Sequence, residues 1–119
     1  LTVAMAQWQP RFWSLPVLAR TTRNVAAFYD MSTYARNVTT FERALAKGTA
    51  AFADGAAPYA AGLMNYYATH TPIDEANVRA KVDVLLSARY NATVRHVGVW
   101  TTPMPADWWP HLERWHRAR

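Results

Sequence analysis

Apolar side chains recur every three or four residues along much of this 119-residue chain, and that spacing decides which folds are open to it. Between residues 21 and 46 the apolar positions share one face of a helical wheel, while most charged residues fall elsewhere. These apolar positions are Val25, Phe28, Ala35, Val38, Phe41 and Leu45. Apolar and polar residues alternate over no more than a few positions. The spacing therefore predicts a long amphipathic helix over 21–46, ended near Gly48.

A second helix start is encoded near residue 72. Thr71 suits an N-cap, Pro72 suits the first helical position, and two acids follow in the first turn, where the helix dipole favours them. Apolar residues continue at helical spacing, so we expect a helix over 72–97 with Lys81 on its solvent side. Gly98 is the expected stop.

The remaining segments complete an all-α prediction. Pro58 marks the start of a short helix over 58–68, and the tryptophan-bearing segment 107–117 forms the last helix. Residues 1–20 contain two prolines and an aromatic cluster without a sustained period, so we expect an extended arm. The predicted organisation is a basic aromatic arm followed by a helical region over 21–119. Extended connectors join its amphipathic helices into a non-globular accessory subunit.

The aromatic and basic content indicates a partner. Six Trp, six Tyr and four Phe exceed what a compact core of this size readily hides. The net charge is +5, and nearly all the cations are arginines, which suit contacts with acidic protein, anionic lipid or nucleic acid. Nucleic acid is favoured less, because the arginines are spaced singly. The candidate partner-binding residues are Trp8, Phe12, Trp13, Arg89, Arg95, Trp108, Trp109 and Trp115.

No pattern of catalytic residues stands out. The chain has no cysteine, which removes disulfides, thiolate metal sites and cysteine nucleophiles. His111 and His116 are five positions apart and do not share a helix face as a metal pair would. Asp74 and Glu75 are adjacent, point to different helix faces and suit the helix start. We therefore expect no catalytic residue, no cofactor and no metal site, and a chain that is not itself an enzyme.

Several short motifs in a fixed order carry a family resemblance. In order they are Gly62-Leu63-Met64, Thr71 with Asp74-Glu75, a basic stretch with Arg89 and Arg95, and Met104-Pro105-Ala106-Asp107-Trp108-Trp109. Over about 47–109 the chain resembles the small, all-helical, matrix-side subunit of the mitochondrial cytochrome bc1 complex, the 14 kDa ubiquinone-binding-protein type. It departs from that family in lacking a Leu-Pro break at 85–88 and in its basic C-terminal residues, and residues 1–46 have no counterpart.

The resemblance implies a non-catalytic accessory subunit of complex III. Such a subunit packs against cytochrome b and the core subunits and supports assembly, peripheral to the mitochondrial inner membrane on its matrix side. No stretch approaches the roughly 20 apolar residues of a membrane-spanning helix. The alternatives are an accessory subunit of ATP synthase or complex I, an organelle ribosomal RNA-binding protein, or a small enzyme. Whether the basic arm is a retained presequence stays open.

Overall fold

The fold mixes helices with strands, so the all-α prediction is wrong. The computed structural model describes residues 2–5, 14–54, 56–65, 73–100 and 103–119. Across these residues four strands alternate with four helices in a compact unit, and two short 3₁₀ turns are present. The elements are β1 (Thr2–Met5), α1 (Leu15–Thr21), β2 (Ala27–Asp30), a 3₁₀ turn (Met31–Thr33), α2 (Val38–Phe52), β3 (Tyr59–Met64), α3 (Glu75–Leu86), β4 (Val94–Trp100), a 3₁₀ turn (Ala106–Trp108) and α4 (Trp109–Arg117).

The strands form one parallel sheet in the order β1-β2-β3-β4. Each pair of neighbouring strands is joined by a crossover that contains a helix, and such crossovers are right-handed. Because the strand order never reverses, every crossover passes over the same face of the sheet. Accordingly α1 packs on α2, α2 on α3, and α3 on α4, which forms a single helical layer.

The hydrophobic core lies between this helical layer and the sheet. The ring of Phe28 in β2 stacks on Phe52 of α2 with centroids 4.4 Å apart, and Phe52 also contacts Tyr59 of β3 at 5.5 Å. The buried stripe of α3 and the fully buried Trp108 extend the core toward α4. The stripe consists of Val78, Val82 and Leu85.

The helix predicted over 21–46 is wrong in its first half. Those residues include the end of α1, then β2 and a 3₁₀ turn, and α2 begins only after Asn37, whose Oδ1 accepts a bond of 2.7 Å from the Thr40 amide. Phe28 and Phe41 fit one helical period because strand and helix bury their apolar residues in the same core. The spacing of apolar residues shows which residues are buried, but it does not show that the chain reverses direction between Phe28 and Phe41.

Two further predicted helices contain strands. Within the segment predicted as helix 58–68, Tyr59–Met64 form β3, whose residues are buried except the last. An unbroken apolar run is as typical of a buried parallel strand as of a helix. Residues 66–68 lie outside the described residues. The helix predicted over 72–97 ends at Leu86, after which a turn leads into β4. Its observed N-cap is Asp74, whereas the expected cap, Thr71, lies outside the described residues. The last helix and the 3₁₀ turn before it occupy the segment predicted at 107–117.

The extended arm predicted over 1–20 also differs from the described structure. Residues 2–5 form β1 within the sheet, and α1 begins at Leu15 after the Ser14 cap. Apolar residues show no sustained spacing over 1–20 because the described part of this segment contains two short elements, β1 and the start of α1. The aromatic cluster between them lies outside the described residues.

Gly48 lies inside α2 and does not end it. A Cβ at this position would overlap the Tyr59 hydroxyl and would fall 2.6 Å from Asp30 Oδ2. Those two groups form a buried hydrogen bond of 2.7 Å, in which Tyr59 donates to Asp30. The glycine therefore allows α2 to approach the sheet over this bond.

We predict that Gly48→Ala destabilises the protein by about 1–3 kcal/mol, because the new methyl group must displace a buried side chain. The sign of the change in the free energy of unfolding distinguishes an obstructed from an unobstructed position, since alanine in place of glycine in an unobstructed helix stabilises it by up to about 1 kcal/mol. Urea unfolding measures the change. The exposed Ala50→Gly in the same helix is the control and should cost about 1 kcal/mol. A stabilised Gly48→Ala protein would show that the close approach is absent.

Candidate ligand-binding rim

The two faces of the sheet have different surroundings. Side chains alternate between faces along each strand, so Phe28 and Tyr59 point into the core while Tyr29 and Ala60 point the opposite way. An irregularity in β4 at Arg95 shifts the pairing, and His96 thereby lies beside Ala60. The face away from the helices, here called the open face, consists of Ala4, Tyr29, Ala60, Gly62, Met64, His96, Gly98 and Trp100.

The open face is only partly exposed, because Ala60 and Gly62 are buried, and Tyr29 and His96 line a cavity together with Trp115 and His116 of α4. Ala4 and His96 are exposed, and 54% of Trp100 is accessible to solvent. The ring of Tyr29 lies over Gly98, where a Cβ would fall 2.7 Å from its Cε1. A strand glycine is often found where another group approaches the backbone closely, and Gly98 serves this purpose here. Its predicted role as a helix stop is wrong.

Two aromatic rings stand at the carboxyl ends of the strands on this face. Tyr34 follows β2, and its ring lies over Gly62, where a Cβ would fall 2.5 Å from Cζ. Trp100 ends β4 beside Met64. The rings of Tyr34 and Trp100 have centroids 6.2 Å apart and planes inclined at 48°. We call Tyr34, Met64 and Trp100 the carboxyl rim.

Buried hydrogen bonds fix the chain beneath Tyr34. The Thr33 hydroxyl donates to the Asp30 carbonyl at 2.7 Å and accepts from the Gly62 amide at 2.6 Å. Asp30 Oδ1 accepts from the Ser32 amide at 3.0 Å. The Asp30 carboxylate also accepts from Tyr59 on the core side, so it supports the rim from below.

Burial and charge shift the pKa values of two tyrosines near this support. Burial, with a smaller contribution from Tyr29, raises the pKa of the Tyr34 hydroxyl. The pKa of Tyr59 is raised well above its usual value by burial and by the adjacent Asp30 carboxylate. Both hydroxyls are therefore protonated at neutral pH and able to donate hydrogen bonds.

Lys81 holds the connector that follows Tyr34. Its Nζ donates to the carbonyls of Ala35 at 2.6 Å and Arg36 at 2.9 Å, and the residue is 1% exposed. The expectation that Lys81 faces solvent is therefore wrong. Burial lowers its pKa to about 8.

Asn65 secures the other side of the rim. Its amide donates to the Trp100 carbonyl at 2.8 Å, and its side-chain Nδ2 donates to the Pro103 carbonyl at 2.7 Å. The residue is fully buried. The ends of β3 and β4 are thus tied together where Trp100 is presented.

The predicted partner-binding residues do not gather at the rim. Trp8, Phe12 and Trp13 lie outside the described residues. The guanidinium of Arg89 lies over the ring of Tyr90, and Arg95 is exposed on β4.

The three candidate tryptophans near α4 differ in exposure. Trp108 is enclosed in the core, and Trp115 packs against the same core with Arg119 over its ring. Trp109 is 58% exposed and offers its ring to solvent. Their contact with a partner stays a prediction.

The histidine and acidic candidates take structural roles. His111 Nε2 lies 2.5 Å from Glu75 Oε1, which links α4 to α3. Asp74 caps α3 by accepting a bond of 2.8 Å from the Asn77 amide. In the described part of the chain, no group of three or more histidine or acidic side chains is arranged to hold a metal ion.

No protein-family model matches the chain, and no curated protein or solved structure shows significant similarity to it. Within the described ranges, none of the helices has the length and apolar character that crossing a membrane requires.

Raising the pH through the range where Lys81 titrates should stabilise the fold. The folded state releases this proton near pH 8, whereas an unfolded lysine releases it near pH 10.5, so the unfolded state holds more protons between these values. From about pH 7 to about pH 9.5, wild type should gain about 2 kcal/mol over Lys81→Met, which lacks this titration.

Chemical unfolding at several pH values measures this gain, and the upper limit stays below the ordinary tyrosine pKa near 10. Lys47→Met, which removes an exposed lysine from α2, is the control and should keep the wild-type slope. Parallel stability profiles for wild type and Lys81→Met would contradict the buried position of this amine.

Proposed function

We propose that the chain binds a small ring-shaped molecule, of the carbohydrate class, at the carboxyl rim. The observation that carries the proposal is the exposed ring of Trp100, inclined against Tyr34 at the carboxyl end of a parallel sheet. Ligands of parallel α/β sheets bind at this end of the strands. A large aromatic side chain presented there to solvent is typical of a ring-binding surface.

The angle between the two rings favours a saturated ring over a flat base. Rings inclined at 48° with centroids 6.2 Å apart touch each other, so no planar group fits between them as in a sandwich. They form instead a corner, with Met64 as the register partner of Trp100 on the neighbouring strand. A pyranose has CH groups on its faces and edge, so it can contact both walls of this corner at once.

The rim is also held firmly enough to orient a ligand. Thr33 and Lys81 fix the chain on both sides of Tyr34, and Asn65 fixes the end of β4. Side chains that are already ordered lose little conformational freedom when a ligand binds. A weak stacking contact can therefore contribute usefully to affinity.

The accessory-subunit hypothesis stays a prediction. Its resemblance implied an all-helical chain, and the parallel sheet removes that support for it. Co-purification with a detergent-solubilised complex that contains haem b would test it directly. The exposed Trp109 would then be the side chain to examine for contact with another subunit.

We predict that disaccharides bind at the rim and that the ring of Trp100 carries much of the affinity. Titration of the protein with methyl pyranosides and disaccharides, followed by NMR shifts of the backbone amides of Tyr34 and Met64, measures the binding in every variant. Trp100→Ala should weaken it by at least about tenfold, as loss of a stacking tryptophan commonly does. Trp100→Phe keeps a ring at the site and should weaken it by less than about threefold.

Adenosine and uridine serve as the flat-ring comparison. Binding of these nucleosides without binding of any sugar would contradict the carbohydrate assignment. Sugar binding that is equal in wild type and Trp100→Ala would place the site elsewhere. Absence of binding by every compound would overturn the proposed function.

A further inference from the structure

We propose that a second site on this chain binds the phosphate group of a small, soluble phosphate monoester, in a cavity between the first residues of β4 and the C-terminal end of α4. The cavity has a volume of about 550 Å³. We call it the basic cavity, and its lining includes Tyr29, Arg95, His96, Trp115, His116 and Arg119.

The basic cavity is separate from the carboxyl rim. His96 and Trp100 lie four residues apart on β4, a distance of about 13 Å along a parallel strand. The ring of Tyr29 lies over Gly98, between these two positions. The inference therefore does not depend on a ligand at the rim.

The lining of the basic cavity has positive charge without a matching acid. Its described residues include two arginines and two histidines and no aspartate or glutamate. By contrast, two other arginines of α4 have carboxylate partners, and these pairs are Arg114 with Asp83 at 2.7 Å and Arg117 with Glu113 at 3.3 Å. In the described part of the chain, no aspartate or glutamate forms an ion pair with Arg95 or Arg119.

The irregularity at the start of β4 brings two of the basic side chains to the same cavity. Consecutive residues of a regular strand point to opposite faces of the sheet. Here Val94 pairs with Tyr59 and His96 with Ala60, which leaves Arg95 as the extra residue. Arg95 and His96 consequently both line the basic cavity. Bulges are frequent beside binding sites, where they redirect a side chain in this way.

Arg119 is held in position on the other side of the basic cavity. Its guanidinium carbon lies 4.7 Å from the centre of the Trp115 ring. Its Nη1 donates to the carbonyl and to Oδ1 of Asn91, at 3.2 Å and 3.3 Å. A guanidinium has five N–H donors, so others remain available to a ligand. A side chain that is already ordered loses little freedom when an anion binds.

The two guanidiniums act on each other as like charges. Burial, with a smaller contribution from the charge of Arg95, lowers the pKa of the Arg119 guanidinium. An arginine nevertheless stays protonated in proteins, so both positive charges persist. An anion bound between them would replace this repulsion by attraction.

The C-terminal end of α4 does not neutralise these charges. A helix end carries a partial charge of only about half an elementary charge. In addition, the carbonyls of Arg114 and His116 already accept bonds from the amides of Ala118 and Arg119, at 3.2 Å and 3.3 Å. The basic cavity thus keeps an excess of positive charge.

The kind of charge favours a phosphate group. The planar guanidinium matches the oxygens of a phosphate with two parallel hydrogen bonds. A phosphate monoester carries about −1.5 to −2 charges at neutral pH and three strong acceptor oxygens, enough for two guanidiniums and a histidine N–H. The volume of the basic cavity falls within the range of about 300–1,000 Å³ that is typical of small-molecule sites, so it has room for an organic group beyond the phosphate.

Titration of the full chain with inorganic phosphate and with glycerol 3-phosphate tests the proposal, in about 0.15 M sodium chloride to screen unspecific attraction. NMR shifts of the backbone amides of His96 and Val97 report binding in every variant. We expect glycerol 3-phosphate to bind with a Kd of about 1 mM or below. Arg95→Gln and Arg119→Gln should each raise this Kd by at least about tenfold, because each removes charge-assisted hydrogen bonds. Arg119→Lys, which keeps the charge without the planar fork, should have a smaller effect than Arg119→Gln.

Arg43→Gln is the matched control, because it removes the same charge from an exposed position of α2. It should change the Kd by less than about twofold at this salt concentration. Circular dichroism verifies that every variant keeps its secondary structure. Equal affinities of wild type, Arg95→Gln and Arg119→Gln would place any phosphate site elsewhere and overturn the proposal.

Three further results would also overturn it. The first is the absence of saturable shifts with either phosphate up to about 20 mM, far above the expected Kd. The second is tighter binding of succinate than of glycerol 3-phosphate, which would indicate a carboxylate site. The third is binding to phosphatidylcholine vesicles that contain phosphatidic acid without binding of glycerol 3-phosphate, which would indicate a lipid headgroup. Because the observed amides lie at the start of β4, each of these results leaves the rim proposal standing.

Discussion

The position of the four described helices on one face of the sheet is the constraint on which the rest of this structure depends. It follows from a parallel strand order that never reverses, together with right-handed crossovers. One face thereby receives the apolar sides of the helices and becomes the core. The other face keeps Tyr29, Tyr34 and Trp100 at its surface, so the same rule that builds the core also creates the candidate binding surface.

A buried polar network connects the core to that surface. Asp30 accepts from Tyr59 beneath α2, and Thr33 bonds both the Asp30 carbonyl and the Gly62 amide. Lys81 extends the support by holding the connector after Tyr34 from α3. Unpaired buried polar groups are costly, so these residues hold their neighbours in one arrangement. The rim thus rests on groups that contact it from below and do not themselves face a ligand.

The sequence predicts some local elements and misses the sheet. The sequence predicts a helix start near residue 74 and a tryptophan-bearing helix before the C-terminus, because caps and helical spacing are local signals. The sequence does not predict β3, because apolar and polar residues do not alternate along a strand that is enclosed on both faces. Gly62 and Gly98 are the signals that could have indicated strands, since each leaves room for a tyrosine ring.

The candidate site is not predictable from the sequence for a related reason. Tyr29, Tyr34 and Trp100 are far apart in sequence, and only the strand register brings them to one face. The sequence predicts Lys81 at the solvent side because a charged residue usually lies there, whereas its two carbonyl partners are more than 40 residues away. Long-range pairing of this kind is not visible in helical periodicity.

Ring-current shifts in a proton NMR spectrum test the arrangement of the open face most directly. A ring close to an α-carbon shifts the α-protons strongly, and the structure places Tyr29 over Gly98 and Tyr34 over Gly62. We predict displaced α-proton resonances at both glycines, with contacts between the backbones of Ala61 and Val97 from the parallel pairing of β3 and β4. Unshifted glycine resonances, together with the sequential amide contacts of a continuous helix through residues 59–64, would contradict the account.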